Sequence, residues 1–192
     1  MYKFARLPQP ECLARNAPEW TEDFVTARKG NPQAPFSWRS AGCYQTIRST
    51  LLEMTQSRCA FCDAFLGAES RETVEHFRPK KRFPELAYLW SNLFPCCDVC
   101  QSRKRDIFDE LLIRPDDEAY SFSRYFVANF HTGEVDPSPA APVEDQERAR
   151  RTIAIYGLNI PQRKAARLRE WRNFSARADQ LLADFNYRYF LQ

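Results

Sequence analysis

The chain has 192 residues, of which 44% are hydrophobic and 28% charged, an ordinary balance for a globular domain with a buried core. It holds 5 glycines and neither a G-x-G-x-x-G nor a G-x-x-x-x-G-K-[ST] motif, which argues against a nucleotide-binding fold. The formal net charge of +3 is too small to indicate a nucleic-acid partner by itself.

Helices are predicted in the N-terminal part of the chain. A short helix is expected over residues 18–29, with Pro18 near its start and Gly30 as its stop. A longer amphipathic helix is expected over residues 41–57, because apolar side chains recur there at three- and four-residue spacing. This second helix leads directly into the first pair of cysteines.

Short strands are predicted in the middle of the chain. Strand-like runs lie at 64–66 and 73–77, and a short helix is expected to begin near Asp98. Residues 122–130, followed by a turn and Val135, suggest a hairpin. This mixture of strand and helix signals predicts an α+β fold.

The C-terminal part is predicted to be helical. Residues 136–142, DPSPAAP, are interpreted as a proline-rich linker, and helices are expected over 143–156 and 161–189. Asn159 is placed to cap the second of these helices, whose apolar stripe includes Ala178. The sequence therefore divides into an N-terminal helical segment, 1–58, a central core with its following hairpin, 59–135, and a C-terminal helical segment, 143–192.

Seven cysteines are present, and four of them form two C-x2-C pairs, Cys59 with Cys62 and Cys97 with Cys100. Each pair spans a tight turn that directs two thiolates at one point, and four thiolates form the tetrahedral set that structural zinc prefers. The 34 residues between the pairs exceed the spacing of a plain zinc ribbon, so a segment is inserted there. Cys96 is an alternative to Cys97; the two-residue gap favours Cys97 and leaves Cys96 as a buried thiol.

A cytoplasmic protein without a membrane partner is predicted. No apolar run approaches the roughly 20 residues that a membrane span needs, and the first residues, MYKFARLPQPEC, lack a secretory apolar region. Thiols stay reduced in the cytoplasm. We therefore expect no disulfide scaffold, and Cys12 and Cys43 are interpreted as ordinary core cysteines.

Basic residues cluster near the cysteine pairs, as RPKKR at 78–82 and RKR at 103–105. Such clustering is typical of contacts with nucleic-acid phosphates. The candidates for holding a nucleic-acid backbone are Arg78, Lys80, Lys81, Arg103 and Lys104.

The segment inserted between the cysteine pairs contains V74-E75-H76-F77-R78-P79-K80. The carboxylate of Glu75 can help to hold a hard divalent cation, which prefers oxygen ligands. The imidazole of His76 can take a proton from water near neutral pH. Asn92 places an amide just before the second cysteine pair, and Gln101 follows the last cysteine.

This order of residues resembles the HNH, or ββα-metal, nuclease family. The resemblance implies a small zinc-stapled ββα-metal core embedded in flanking α-helices, with catalytic Mg2+ or Mn2+ in addition to structural zinc. It implies that His76 is the general base, that Glu75 is the acidic metal ligand and that Asn92 ties the loop orienting the base. Gln101 stands where the family usually has histidine or asparagine as a second metal ligand, which is a departure from the pattern.

The motifs EHFRPK, SNLFPCCDVCQSRK and TIAIYGLN extend the resemblance to the PtuB-like HNH subunits of Septu antiphage systems, which also occur in some retrons. This resemblance spans residues 55–165 and implies an ABC/SMC-like ATPase as partner and hydrolysis of phosphodiester bonds, in DNA first of all. Two alternatives stay open. One is the same nuclease acting on RNA or tRNA, and the other is a non-catalytic zinc module that binds nucleic acid or the ATPase.

Overall fold

The computed structural model describes residues 1–67, 70–176 and 179–192. Its elements, in chain order, are α1 (Glu11–Gly30), α2 (Ala41–Thr55), β1 (Glu72–His76), β2 (Leu93–Cys97), α3 (Asp98–Lys104), α4 (Phe122–Tyr125), β3 (Phe126–Ala128), β4 (Val135–Pro137), α5 (Val143–Tyr156) and α6 (Pro161–Ser175). Single 3-10 turns occur at Pro84–Leu86, Trp90–Asn92, Leu182–Asp184 and Arg188–Phe190. Helices combined with two small antiparallel sheets confirm the predicted α+β class.

The helix α1 begins earlier than predicted. It starts at Glu11 and contains Pro18 in its interior. Leu13 is fully buried in a cluster with residues of α2, and this packing extends the helix across the proline despite the lost hydrogen bond. Cys12 and Cys43 form a disulfide that joins α1 to α2. The interpretation of these two cysteines as unpaired core thiols is therefore wrong for this structure.

The strands β1 and β2 form an antiparallel hairpin that runs directly into α3. Their register pairs Glu72 with Cys97 at one end and His76 with Leu93 at the other. Every residue of β2 is buried. Because side chains alternate along a strand, Leu93 joins the cluster between α1 and α2, while Phe94 joins the cluster around the cysteines, α5 and the C-terminal tail. The hairpin therefore divides the two cores.

The predicted hairpin at 122–130 is present but begins later in the chain. Residues 122–125 form the single helical turn α4, and the strands β3 and β4 follow it, with Phe126 paired with Pro137. The stretch 136–142 is not a free linker, since its first residues belong to β4. Ser138 is buried and its backbone N–H donates to Tyr125 O at 2.9 Å.

The predicted cap of α6 has a different role. Ile160 occupies the N-cap position, and no side chain caps this helix. Asn159 Oδ1 accepts from Val135 N at 2.9 Å, and Asn159 Nδ2 donates to Val135 O at 2.8 Å. The same oxygen accepts from Arg167 Nη1 at 3.2 Å. Asn159 therefore attaches the α5–α6 junction to β4.

The helix α6 ends at Ser175 rather than at residue 189, and Ala178 of the predicted stripe lies outside the described residues. The C-terminal tail, 182–191, packs into the core that surrounds the cysteines. Arg188 in this tail pairs with the buried carboxylate of Asp63 at 2.7 Å. Since Asp63 follows the first cysteine pair in the chain, the tail supports the cysteine group directly.

Candidate functional site

The four cysteines of the C-x2-C pairs converge on one point. Their sulfur atoms lie within 4.8 Å of one another, and all four residues are buried. Cys62 Sγ is 3.7 Å from Cys97 Sγ, and a tetrahedral site with Zn–S bonds of about 2.3 Å requires about 3.8 Å between sulfurs. Asp63 N donates to Cys59 O at 2.8 Å, and Cys100 N donates to Cys97 Sγ at 3.3 Å. The group can therefore bind zinc.

Cys96 stands apart from this group although it is equally buried. It precedes Cys97 on β2, and its thiol donates to Cys97 O at 3.3 Å. The fourth sulfur of the group is that of Cys97. The structure thus agrees with the choice that the two-residue gap favoured.

Glu75 forms a buried ion pair with Lys104. Glu75 Oε1 lies 2.7 Å from Lys104 Nζ, and this ammonium also donates to His76 O at 2.9 Å. Burial raises the pKa of Glu75, and the charge of Lys104 opposes this effect. Gln101 Nε2 donates to Val74 O at 3.4 Å. Glu75 and Gln101 therefore lie side by side, with the cation of Lys104 already beside the carboxylate.

His76 is held in a defined orientation at the end of β1. Its Nε2 lies 2.9 Å from Ala87 O. Because a carbonyl oxygen only accepts, Nε2 carries the proton and Nδ1 is the unprotonated nitrogen of the neutral ring. The pKa of His76 is lowered to about 3, mainly by burial and to a smaller extent by the positive charge of Lys80. The imidazole is therefore neutral at physiological pH, and because an efficient general base has a pKa near the operating pH, His76 is a weak base in this buried state.

The loop between α1 and α2 covers His76, a feature that the sequence did not reveal. The Phe36 ring meets the imidazole edge to face at 5.2 Å, and the Trp38 ring stacks on it at 5.8 Å. The hydroxyl of Tyr88 donates to Ser37 O and attaches this loop to the chain after β1. His76 is consequently only 4% exposed.

Asn92 connects the segments on either side of the imidazole. Its Oδ1 accepts from Arg78 N at 2.8 Å, and its Nδ2 donates to Arg78 O and to Leu86 O, each at 3.0 Å. Leu86 directly precedes Ala87, whose carbonyl oxygen orients His76. This buried amide therefore joins the segment that follows His76 to the segment that carries Ala87.

The predicted cations at 78–81 are partly or fully accessible, and each contacts another group. Arg78 Nη2 lies 2.8 Å from Glu110 Oε2, and Lys81 Nζ lies 3.8 Å from Asp106 Oδ2, both in exposed pairs. Lys80 Nζ lies 5.1 Å above the ring of Phe36. Exposed pairs of this kind contribute little to stability, so a phosphate can replace the carboxylates at a low cost.

Arg103 and Lys104 differ, although both were predicted to contact nucleic acid. Arg103 is exposed, and its stem lies so close to Gly157 that a Cβ there would collide with Arg103 Cδ. Lys104 is completely buried. An ammonium enclosed in this way does not reach a phosphate, so the predicted phosphate contact of Lys104 is corrected to an internal pair with Glu75.

No protein-family model matches the chain. Over 72 residues, which are 36% of this chain and 28% of the relative, it is 40% identical to Septu protein PtuB of Bacillus thuringiensis. Over this third, the chain is PtuB-like. Septu protein PtuB of Bacillus mycoides (strain KBAB4) is 31% identical over 78 residues, 33% of this chain and 26% of that protein. The chain thus matches between 26% and 28% of the length of these curated relatives.

No helix within residues 1–67, 70–176 and 179–192 is both long enough and apolar enough to cross a bilayer.

Proposed function

We propose that this chain is a metal-dependent endonuclease of the HNH type that hydrolyses phosphodiester bonds, in DNA first of all. The observation that carries the proposal is the neutral, oriented imidazole of His76, which directly follows the buried residue Glu75 in the chain. Both residues lie at the end of β1, which pairs with β2 and packs against α3. A purely structural zinc module has no need for such a pair.

The protein groups have distinct roles in this proposal. His76 Nδ1 takes the proton of the attacking water, while Ala87 O holds the opposite nitrogen in its protonated form. Asn92 keeps the two backbone segments around the imidazole in place. Arg78, Lys80, Lys81 and Arg103 hold the phosphate backbone, which carries no base information.

The donor groups fit two kinds of metal. The four buried sulfurs match the geometry and the ligand type of structural Zn2+. Glu75 and Gln101 offer oxygen atoms, which Mg2+ and Mn2+ prefer, although one oxygen of Glu75 is already paired with Lys104. A bound divalent cation would stabilise the charge that develops on the phosphate and on the leaving 3′ oxygen.

The covered state of His76 has a consequence for this activity. Phe36 and Trp38 enclose the imidazole, so a phosphodiester reaches Nδ1 only after the loop 31–40 shifts. Cleavage by the protein in this conformation is therefore expected to be slow.

The similarity to PtuB supports a role in a Septu antiphage system, and we propose that the chain is the effector and that an ABC/SMC-like ATPase is its partner. Removing α6 is an unsuitable test of this partnership, because Arg163 and Arg167 of this helix are buried. Within the C-terminal segment, Val143 at the start of α5 is 79% exposed and Leu181, which follows α6, is 69% exposed. Replacing both with glutamate should weaken co-purification with the ATPase and leave the melting temperature unchanged.

A non-catalytic zinc module that binds nucleic acid or the ATPase is a second candidate. The specific observation in its favour is that the Lys104 ammonium occupies the position next to Glu75 where a cation would bind. The positive charge of Lys104 repels a divalent cation and so weakens the attraction of Glu75 for it.

Cleavage assays distinguish the two candidates. The purified chain is incubated with plasmid DNA and, separately, with structured RNA, in the presence of Mn2+ and with or without EDTA. We expect Mn2+-dependent cleavage that His76→Ala lowers by about 10²- to 10⁴-fold, as for the loss of a general base. His131→Ala is the matched control, because His131 is an exposed residue of the β3–β4 turn. Equal cleavage by the two variants would refute the role of His76.

A further inference from the structure

Arg163, at the start of α6, lies against the four-cysteine group. Its Nη2 is 3.0 Å from Cys100 Sγ and 3.5 Å from Cys97 Sγ. Its Nη1 donates to Tyr156 O at 2.7 Å and to Gly157 O at 3.0 Å. Arg163 is only 5% exposed. One guanidinium thus joins two sulfurs of the second cysteine pair to the end of α5.

The charge of the cysteine group explains why a cation lies there. Four thiolates around one Zn2+ carry two uncompensated negative charges, and burying such charge without a partner is costly. The guanidinium removes half of this excess and donates hydrogen bonds to the sulfurs. Among the described residues, no other cationic side chain hydrogen-bonds to one of the four sulfurs.

The side chain must be arginine for a geometric reason. The planar fork of the guanidinium directs Nη1 and Nη2 at different partners at the same time, which the single ammonium of lysine does not do. The carbonyl oxygens of Tyr156 and Gly157 lie at the C-terminal end of α5, where unpaired carbonyls need donors. The same residue therefore completes the helix end and the environment of the sulfurs.

We propose that Arg163 is a positioning residue of the metal centre, which holds Cys97 and Cys100 in their metal-binding geometry and controls how tightly the metal is retained. The contact also makes the junction between α5 and α6 part of the centre, although this junction lies far from the cysteines in sequence. Metal retention and the packing of α6 are then coupled. This proposal is independent of the nuclease activity.

Arg167 provides a matched control on the same helix. It is completely buried and donates to Gly133 O at 2.7 Å and to Leu158 O. Among the described residues, its hydrogen bonds are all to oxygen atoms. Arg163→Met and Arg167→Met should therefore both lower the melting temperature, while they differ in their effect on the metal.

The test measures zinc retention against a competing chelator at fixed pH. Arg163→Met should weaken zinc binding by about 10- to 100-fold, the usual cost of losing a partner of a metal ligand, and Arg167→Met should bind zinc as tightly as the unchanged protein. In the cobalt-substituted protein, the sulfur-to-metal charge-transfer bands should move in Arg163→Met and stay in place in Arg167→Met.

A lysine variant keeps the test decisive if Arg163→Met does not fold. Arg163→Lys retains the charge but loses the planar fork of the guanidinium. Its zinc affinity should therefore be lower than that of the unchanged protein and of Arg167→Met, and higher than that expected for Arg163→Met. Two results would overturn the proposal. One is that Arg163→Lys and Arg163→Met keep the zinc affinity and the cobalt bands of the unchanged protein. The other is that the Arg163 and Arg167 variants lose zinc affinity equally.

Discussion

Replacing Asn92 with alanine tests whether the orientation of the imidazole depends on one buried amide. The side chain is 4% exposed and makes three hydrogen bonds to backbone atoms of Arg78 and Leu86. In the alanine variant, the N–H and the carbonyl oxygen of Arg78 lose their partner, whereas Leu86 O still accepts from Leu89 N at 3.3 Å. At about 0.5–1.5 kcal/mol for each hydrogen bond, the loss should be about 2–4 kcal/mol. This corresponds to a melting temperature lowered by roughly 4–16 °C in a chain of this size.

Asn92→Ala should also slow cleavage by the molecules that remain folded. Without the amide, the segment after His76 and the segment carrying Ala87 are no longer attached to each other, and a displacement of about 1 Å at a reacting group can lower a rate by about 100-fold. Rates are measured well below the melting temperature of the variant, so that the folded fraction stays close to one. Zinc content should be unchanged, because the side-chain hydrogen bonds of Asn92 are to Arg78 and Leu86 and not to the cysteine group.

Asn159→Ala is the matched control for this experiment. Asn159 also makes three hydrogen bonds through its side chain, two of them to the backbone of Val135 and one to Arg167. Its replacement should cost a similar free energy of unfolding while leaving cleavage per folded molecule unchanged. If Asn92→Ala cleaves as fast as Asn159→Ala under these conditions, the amide does not position the base and the reasoning fails.

Three further outcomes are expected. Lys104→Met should lower the free energy of unfolding, measured by urea titration, by about 3–5 kcal/mol, because it leaves the buried Glu75 unpaired. Combining it with Glu75→Gln should recover part of this loss. If the double variant recovers nothing, the ion pair does not contribute as proposed. Trp38→Ala should raise kcat/KM by uncovering His76, whereas Trp171→Ala, which changes a ring packed against Phe130, should not. A lower rate for Trp38→Ala would show that the cover is needed for catalysis. Burial lowers the pKa of His76 from 6.5 to about 3. Between pH 6.5 and about 3, the imidazole is therefore protonated in the unfolded chain and unprotonated in the folded one. The free energy of unfolding should therefore fall by about 1.4 kcal/mol per pH unit below 6.5, and His76→Gln should remove this part of the slope; equal slopes in both proteins would exclude the contribution.

The local features of the candidate site follow from the sequence. The two-residue gaps identified the cysteines that come together, and Cys97 rather than Cys96 completes the group. The strand-like run at 73–77 corresponds to β1 within one residue, and the amphipathic pattern at 41–57 corresponds to α2. These features depend on side-chain periodicity and on turns, which are properties of neighbouring residues.

The remaining features depend on contacts between distant segments. Pro18 suggested a helix start, yet packing at Leu13 and the disulfide of Cys12 extend α1 beyond it. Lys104 belongs to a basic run, and only the β1–α3 packing shows that its charge is used internally. The aromatic residues of the loop 31–40 carry no sequence signal that places them over His76. Such contacts are set by the tertiary fold rather than by local propensity.

The position of Arg163 in the chain has a consequence for biosynthesis. All four cysteines leave the ribosome before it does, since 63 residues separate Cys100 from Arg163. At roughly 5–20 residues per second, this interval lasts about 3–13 seconds. During that time the nascent thiolates lack their guanidinium, and the tail that carries Arg188 to Asp63 follows later still. A metal ion that reached the thiols in this interval would meet them before the C-terminal segment encloses them.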